Sequence, residues 1–278
     1  MQVYLNGQFR PREEALVSVE DRGYQFGDGV YEVIHVYGGK PFRMREHLSR
    51  LERSLSGLEI PLPEPIPRIE EVCRQAAGAL QNASIYLQVT RGTAPRAHAF
   101  PKSARPAFVV YARESRPLSA GDKPLTLLSV LDDRWGRCHL KTICLLPNVL
   151  ARQKAVQAGC DEALFVRDDG AVTEGSSSNA FLVRGGAVVT HPANSRILGG
   201  VTREAVIQLA RREGIPVLEQ PFGLPEALSA DEFFMTGTTT EVGAVAAIDG
   251  KRIGNGRPGP VTRKLKDAFD ALVKQECG

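Results

Sequence analysis

The run Val89-Thr-Arg-Gly-Thr-Ala-Pro-Arg-Ala-His98 sets Arg96 and His98 two residues apart after a strand-like stretch. In an extended segment, residues i and i+2 share a face. A guanidinium and an imidazole placed that way can converge on one small anion such as a carboxylate. Most Arg/His pairs are simply solvated basic loops, and the pair alone leaves the two readings level.

Three further stretches could do chemistry. In Leu198-Gly-Gly-Val-Thr-Arg203, two glycines precede a helix expected to start at Thr202, with Thr202 as its cap and Glu204 in its first turn. Unpaired backbone N–H groups and the positive end of a helix dipole make such a junction an anion site. Short Gly-rich turns before helices are common, so the motif is weak by itself. The hydroxyls of Thr236-Gly-Thr-Thr-Thr240 strengthen it if the two loops meet in space. Arg50 could supply a fixed cation, although a polar flank on its helix is the plainer reading. Thr173-Glu-Gly-Ser-Ser-Ser-Asn179 holds a carboxylate among small residues between two strands, and on its own reads as a polar turn. Lys141 lies in a strand-like stretch, Arg137 to Ile143, whose composition says nothing about its role. Gly23, Gly27 and Gly29 lack the preceding strand and the spacing of a dinucleotide fingerprint.

Positioning these groups falls to a mixture of strands and helices. Val3 to Leu5, Val30 to Tyr37, Ile85 to Thr90 and Phe108 to Ala112 read as strands. Met44, Leu48, Leu51, Leu55 and Leu58 describe the apolar stripe of an amphipathic helix, which Pro61, Pro63, Pro65 and Pro67 end. A helix from Pro147 to about Ala158 stops at Gly159. Asp168-Asp169-Gly170 and Gly185-Gly186 supply the positive φ angles of tight hairpins. The pattern predicts an α+β fold with antiparallel pairing, in two domains. A small domain covers residues 1–115, a linker covers 116–123 within the polar stretch from Arg113 to Pro124, and a larger domain covers 124–278.

Bulk properties exclude several classes. In 278 residues, 35 Lys and Arg against 32 Asp and Glu leave a net charge of +3, with the two signs interspersed. That argues against a nucleic-acid stripe. Cys73, Cys138, Cys144, Cys160 and Cys277 form no C-x-x-C pair and read as free thiols of a reducing compartment. With no signal-like N-terminus and no apolar run of bilayer length, the expectation is a soluble, cytoplasmic protein.

Together the blocks are more specific than any one of them. Glu20-Asp-Arg-Gly-Tyr-Gln-Phe-Gly-Asp-Gly-Val-Tyr-Glu32, the Arg96/His98 block, Lys141, Thr173 to Asn179, the 198–203 loop and Thr236 to Val242 follow one another in a familiar order. In this, nearly along its whole length, the chain resembles the fold type IV (class IV) pyridoxal-phosphate aminotransferases, and among them the D-amino-acid-specific subgroup. The resemblance implies a small N-terminal α/β domain and a larger, β-barrel-like C-terminal domain with flanking helices. It also implies pyridoxal 5'-phosphate as cofactor and a homodimer with its active site near the subunit interface, with no metal, nucleic acid or membrane involved.

Roles carry over residue by residue. Lys141 matches the Schiff-base lysine, which after release shuttles the α-proton, work suited to an amine whose proton a protein cavity can strip. Glu174 matches the carboxylate facing the pyridine nitrogen, which keeps that nitrogen protonated. Arg50, Val201, Thr202 and Thr238 match the phosphate contacts, and Ser177 joins the cofactor-binding set. Tyr31, Arg96 and His98 match the substrate-carboxylate trap, with Tyr86 and Ser178 also lining the substrate site. Trp135 either walls the cofactor or belongs to the core. Gly237 departs from the pattern, since D-specific relatives carry serine there.

The implied reaction is ping-pong transfer of an amino group from a D-amino acid, D-alanine, to a 2-oxo acid, 2-oxoglutarate. Alternatives are a branched-chain L-aminotransferase, against which the Arg96/His98 pair speaks, an aminodeoxychorismate lyase using the same lysine for elimination, and a non-enzymatic cofactor carrier.

Overall fold

A computed structural model describes residues 1–115 and 123–278; of the expected linker, residues 116–122 lie outside the described residues. The chain forms two compact units. The first takes in the described part of 1–117 with 140–145 and 276–278, and the second takes in the described part of 118–139 with 146–275.

The first unit is built on an antiparallel sheet of β1 (Gln2–Leu5), β2 (Gln8–Pro11), β3 (Gly29–Tyr37), β4 (Lys40–Pro41), β5 (Ala83–Thr90) and β6 (Ala107–Glu114), in the order β2-β1-β6-β5-β3-β4. Period-two alternation buries Val30 and Ile34, Ile85 and Leu87, and Phe108 and Val110 on one face. Two helices cover that face. One, α2, spans Met44–Gly57 and follows the short α1 (Arg22–Phe26); the other, α3, spans Ile66–Ala77. The stripe Met44, Leu48, Leu51 and Leu55 is buried as its spacing predicts, while Leu58 falls just beyond the helix end. The prolines act on both sides of the break, because Pro67 also sits in the first turn of α3.

Residues 140–145 belong to this unit through backbone pairing. Tyr31 N–H donates to the Lys141 carbonyl and Ile143 N–H to the Gly29 carbonyl, each at 3.0 Å. The strand expected around Lys141 is therefore a short extended loop, with one isolated bridge between Val30 and Thr142.

The second unit starts with β7 (Leu125–Leu131), α4 (Leu146–Gln157), β8 (Glu162–Val166), β9 (Ala171–Gly175), β10 (Asn179–Arg184) and β11 (Ala187–Thr190). It continues through α5 (Val201–Arg212), β12 (Val217–Glu219), β13 (Phe222–Gly223), α6 (Leu224–Leu228), β14 (Glu232–Gly237), β15 (Glu241–Ile248), β16 (Lys251–Arg252) and α7 (Pro260–Cys277). Strands β10-β14-β15-β7-β8-β9 pair in that order, and a further pairing of Glu174 with Asn179 joins β9 back to β10, closing the sheet into a barrel. Leu127, Leu164, Val172, Leu182, Phe233 and Met235 are among the residues packed in its core.

Not all of the pairing is antiparallel as expected. Strand β7 runs parallel to β8 and to β15. The chain passes from β7 to β8 through α4, which gives the crossover length that parallel neighbours need. Both expected hairpins form, and Gly170, Gly185 and Gly186 take positive φ. Helix α5 starts one residue earlier than expected, with Gly200 at its N-cap, so Thr202 sits in the first turn and does not cap it.

Candidate active site

In the first unit, Lys141 is held at both ends of its peptide. Its N–H donates to Ser54 Oγ of α2 at 3.1 Å while its carbonyl accepts from Tyr31. Its Nζ lies 4.2 Å from the centre of the Tyr31 ring. Tyr31 stacks on Tyr86, and Tyr86 on Tyr111, with ring centres 5.8 and 5.2 Å apart, along the sheet face that α2 and α3 leave open. Tyr86 donates to Gln88 Oε1 at 2.7 Å, and burial pushes its hydroxyl pKa up.

One residue after Tyr31 the strand pleat turns Glu32 to the opposite, buried face. There Arg50 grips it with two hydrogen bonds, Nε to Oε1 at 2.7 Å and Nη2 to Oε2 at 2.8 Å, and His47 Nδ1 lies 2.8 Å from Oε2. Burial alone would raise the Glu32 pKa, but the Arg50 charge and these hydrogen bonds outweigh it and hold the carboxyl far below the usual carboxylate range. Burial lowers the His47 pKa, Glu32 opposes this, and the charges of Arg50 and Lys141 add to the lowering. Arg50 is thus a buried residue of an ion-pair cluster and not the solvated flank of its helix.

Arg96 and His98 do come together, though by another route than an extended strand. The chain bends through 95–99, and both side chains lie against Phe26, the guanidinium carbon 4.5 Å from its ring centre and the imidazole at 5.7 Å edge-on. Arg22 fixes this bend by donating to the Ala97 carbonyl at 2.6 Å and the His98 carbonyl at 3.4 Å, and Asp28 in turn holds Arg22 and Arg91. Both side chains of the pair are exposed, and no hydrogen bond or ring contact joins them to Tyr31 among the described residues.

In the second unit Glu174 is buried on β9. Its Oε1 accepts from Arg134 Nη1 at 2.6 Å, and its Oε2 accepts from Asn179 Nδ2 and from the Leu198 N–H, each at 3.0 Å. Arg134 spends its bidentate fork on Asp132 instead, Nε to Oδ1 at 2.8 Å and Nη2 to Oδ2 at 2.9 Å. Burial therefore prevails at Glu174, and its pKa is raised despite the Arg134 charge and the Leu198 N–H.

Asn179 links two of the loops expected to bind an anion. Its Nδ2 also donates to the Leu198 carbonyl at 2.8 Å, its backbone pairs with Thr236, and a Cβ on Gly200 would come within 2.1 Å of its Oδ1. A side chain at residue 200 would therefore push Asn179 away from its bonds to Glu174 and Leu198. Thr238 lies in the turn between β14 and β15, and Gly237 beside it approaches Ser177 and Ser178. A Cβ at Gly237 would meet nothing nearer than 3.4 Å, so the departure from serine there is not forced by space. The hydroxyls of Ser176, Ser177 and Ser178 all point back to Glu162 on β8.

The Amino-transferase class IV family pattern matches residues 29–248. The chain is a class IV aminotransferase. It is 40% identical over 276 residues to the D-alanine aminotransferase of Staphylococcus haemolyticus, covering 98% of each chain. It is 39% identical over 279 residues to that of Bacillus licheniformis, covering 99% of this chain and 98% of the relative. Among solved structures, the branched-chain amino acid aminotransferase of Escherichia coli superposes with a TM-score of 0.91 at 28% identity, covering 100% of this chain and 96% of that one. The T.th. branched-chain amino acid aminotransferase complexed with N-(5'-phosphopyridoxyl)-L-glutamate gives 0.91 at 29%, covering 99% and 94%.

In this class IV aminotransferase several residues that hold the candidate site residues in place carry little signal in the sequence. Glu32 interrupts the apolar run Val30-Tyr-Glu-Val-Ile34 at a position whose i±2 neighbours are buried, a signal that could have marked it. Ser54, Arg22, Arg134 and Glu162 look in sequence like ordinary surface polar residues. Trp135 is 43% exposed, which removes the core reading. None of the enzyme's helices among the described residues is long and apolar enough to cross a membrane, and no group of metal-ligating side chains occurs among them.

Proposed function

We propose that this class IV aminotransferase moves the amino group of a D-amino acid, D-alanine, to a 2-oxo acid, 2-oxoglutarate, releasing pyruvate and D-glutamate. Pyridoxal 5'-phosphate is its cofactor. The residues present suit that group: a bare backbone at Gly200 opening α5, Thr202 and Thr238 hydroxyls, the Arg50 cation, and at Glu174 a buried carboxylate that a nearby positive charge would stabilise. When bound, the cofactor supplies the electron sink for the pair left at the substrate Cα.

The chain's own residues do the rest. Lys141 Nζ anchors the cofactor and then takes the proton from the substrate Cα. A positive charge beside Glu174 would favour its ionised form, which in turn holds a proton on the group it faces. Arg50, Val201, Thr202, Thr238 and Ser177 hold the cofactor in place, and charge-assisted hydrogen bonds contribute roughly 1.5–3 kcal/mol each. Tyr31, Arg96 and His98 take the substrate carboxylate, and Tyr86 and Ser178 line the rest of the substrate site. With the nitrogen fixed and the Cα proton aimed at Lys141, handedness depends on which remaining pocket holds the carboxylate. The basic pair at Arg96 and His98, held on Phe26 by Arg22, is the observation that carries D-selectivity.

The likeness to branched-chain enzymes gives the second reading, an L-aminotransferase. Separate addition of D-alanine and L-alanine to the pure holoenzyme, following the visible absorbance of the bound cofactor and the pyruvate formed, decides between them. D-alanine should bleach the absorbance and yield pyruvate; bleaching by L-alanine alone overturns the proposal. The same reading includes a homodimer, a cytoplasmic location and domains of 1–115 and 124–278.

A further inference from the structure

We infer that Glu162 is a positioning residue that fixes the direction of the hydroxyl protons in the Ser176–Ser178 turn, so that the hydroxyls of this turn offer only lone pairs to the substrate and receive its amino group. The inference rests on the reading above, in which Ser177 and Ser178 border the cofactor and substrate.

Glu162 is a buried carboxylate on β8 with both oxygens engaged. Oε1 accepts from the Ala163 N–H at 3.0 Å, the Ser176 N–H at 3.3 Å and the Ser176 hydroxyl. Oε2 accepts from the hydroxyls of Ser177 at 3.0 Å and Ser178 at 3.3 Å. Arg152 Nη1, on half-exposed Arg152, stands 3.5 Å from Oε1. Asn148 on α4 fixes the turn from the other side by donating to the Ser176 carbonyl at 2.8 Å.

A serine hydroxyl carries one proton and two lone pairs, and an ionised carboxylate can only accept. Each hydroxyl in the turn therefore spends its single proton on Glu162. What remains for a ligand is lone pairs, on Ser177 above all, whose side chain is exposed. Hydroxyls so committed donate nothing to phosphate or carboxylate oxygens and accept from N–H donors. Of the two substrates, only the amino acid brings an N–H; the 2-oxo acid carries a carbonyl oxygen in its place. The turn also joins Glu174 to Asn179, so its rigidity keeps the Glu174 carboxylate in register.

Glu162→Gln replaces one acceptor oxygen with an N–H₂ donor at nearly constant volume. At least one serine must then turn its proton outward. KM for D-alanine should rise about tenfold, the scale of one lost hydrogen bond to a charged donor, while KM for 2-oxoglutarate and cofactor retention on dialysis stay within about twofold. Adding Ser177→Ala and Ser178→Ala to Glu162→Gln should raise KM for D-alanine no further, because the three act as one unit. An equal rise for both substrates, a loss of thermal stability with unchanged kinetics, or effects that multiply would each overturn the inference. Should Glu162→Gln fail to fold, the Ser177→Ala/Ser178→Ala protein, assayed with saturating pyridoxal 5'-phosphate, must show the same rise in KM for D-alanine over KM for 2-oxoglutarate, and its absence overturns the inference as well. Wild-type enzyme inert toward D-alanine would instead sink the functional reading.

Discussion

Two buried carboxylates sit close to the expected chemistry, one in each unit, and they respond to burial in opposite ways. Glu32 meets an arginine that gives it both prongs of its fork, with His47 in addition, and its carboxyl lies far below the usual range. Glu174 meets an arginine whose fork is already committed to Asp132, receives one guanidinium hydrogen bond, and is raised. The same pair of residue types thus yields a firmly closed ion pair in one place and an unfinished one in the other. What decides is how many carboxylates share the guanidinium. The closed pair suits a scaffold behind Lys141, and the unfinished one suits a group that must answer to a ligand's charge.

Lys141→Ala should produce the largest effect, because the proposed function gives Lys141 both the cofactor anchor and the Cα proton. Turnover should fall by at least ~10³-fold while cofactor still binds noncovalently, and steady-state assays finding activity within tenfold of wild type would remove Lys141 from that role. The two carboxylates should then part company. Glu32→Gln takes away the carboxylate on which Arg50 and His47 converge and should cost roughly 3 kcal/mol in urea unfolding, as breaking a buried pair does. Glu174→Gln leaves Arg134 with Asp132, so stability should change by ~1 kcal/mol or less while kcat falls about 100-fold. Equal stability losses at the two sites would mean that guanidinium sharing does not explain the contrast.

His35 tests the limit of no hydrogen-bond partner. It is buried on β3 with neither ring nitrogen hydrogen-bonded, and burial pushes its pKa down to about 4. A depressed histidine favours the neutral form in the fold, so its contribution is fully present above pH 6.5 and is lost as pH falls from there through about 4. The loss should be on the order of 3 kcal/mol, and His35→Phe should flatten that part of the stability-against-pH curve by the same amount. A variant curve parallel to wild type would show that His35 does not titrate as described. Least in magnitude, Arg96→Leu should raise KM for D-alanine about tenfold with cofactor affinity unchanged; equal loss of both would make Arg96 structural.

The sequence made plain what local periodicity controls. The α2 stripe, the Gly170 and Gly185-Gly186 hairpins and the strands around Ile34 and Ile85 follow from spacing of two or 3.6 and from positive-φ turns, each settled within a few residues. Lys141 was chemically legible only through resemblance, because what places it is pairing with Tyr31 across a long stretch of chain. Arg134 and Glu162 were invisible for a related reason. Their burial is decided by β7, β8 and β9 coming side by side, and before that an isolated charge in a short polar run looks solvated. Parallel pairing of β7 was missed likewise, since it depends on where α4 returns the chain.

The return of residues 140–145 to β3 also bears on how the chain comes to be folded. During synthesis the Gly29–Tyr31 end of β3 emerges early, yet its backbone partners at Lys141 and Ile143 leave the ribosome only after the whole of β7. Lys141 is thus seated by a late, non-local closure whose entropic cost falls after the first sheet can form. A nascent chain stopped before Leu140 could pair most of that sheet and still present an unfinished strand end, a state in which Lys141 is missing and the edge is open to the wrong partner.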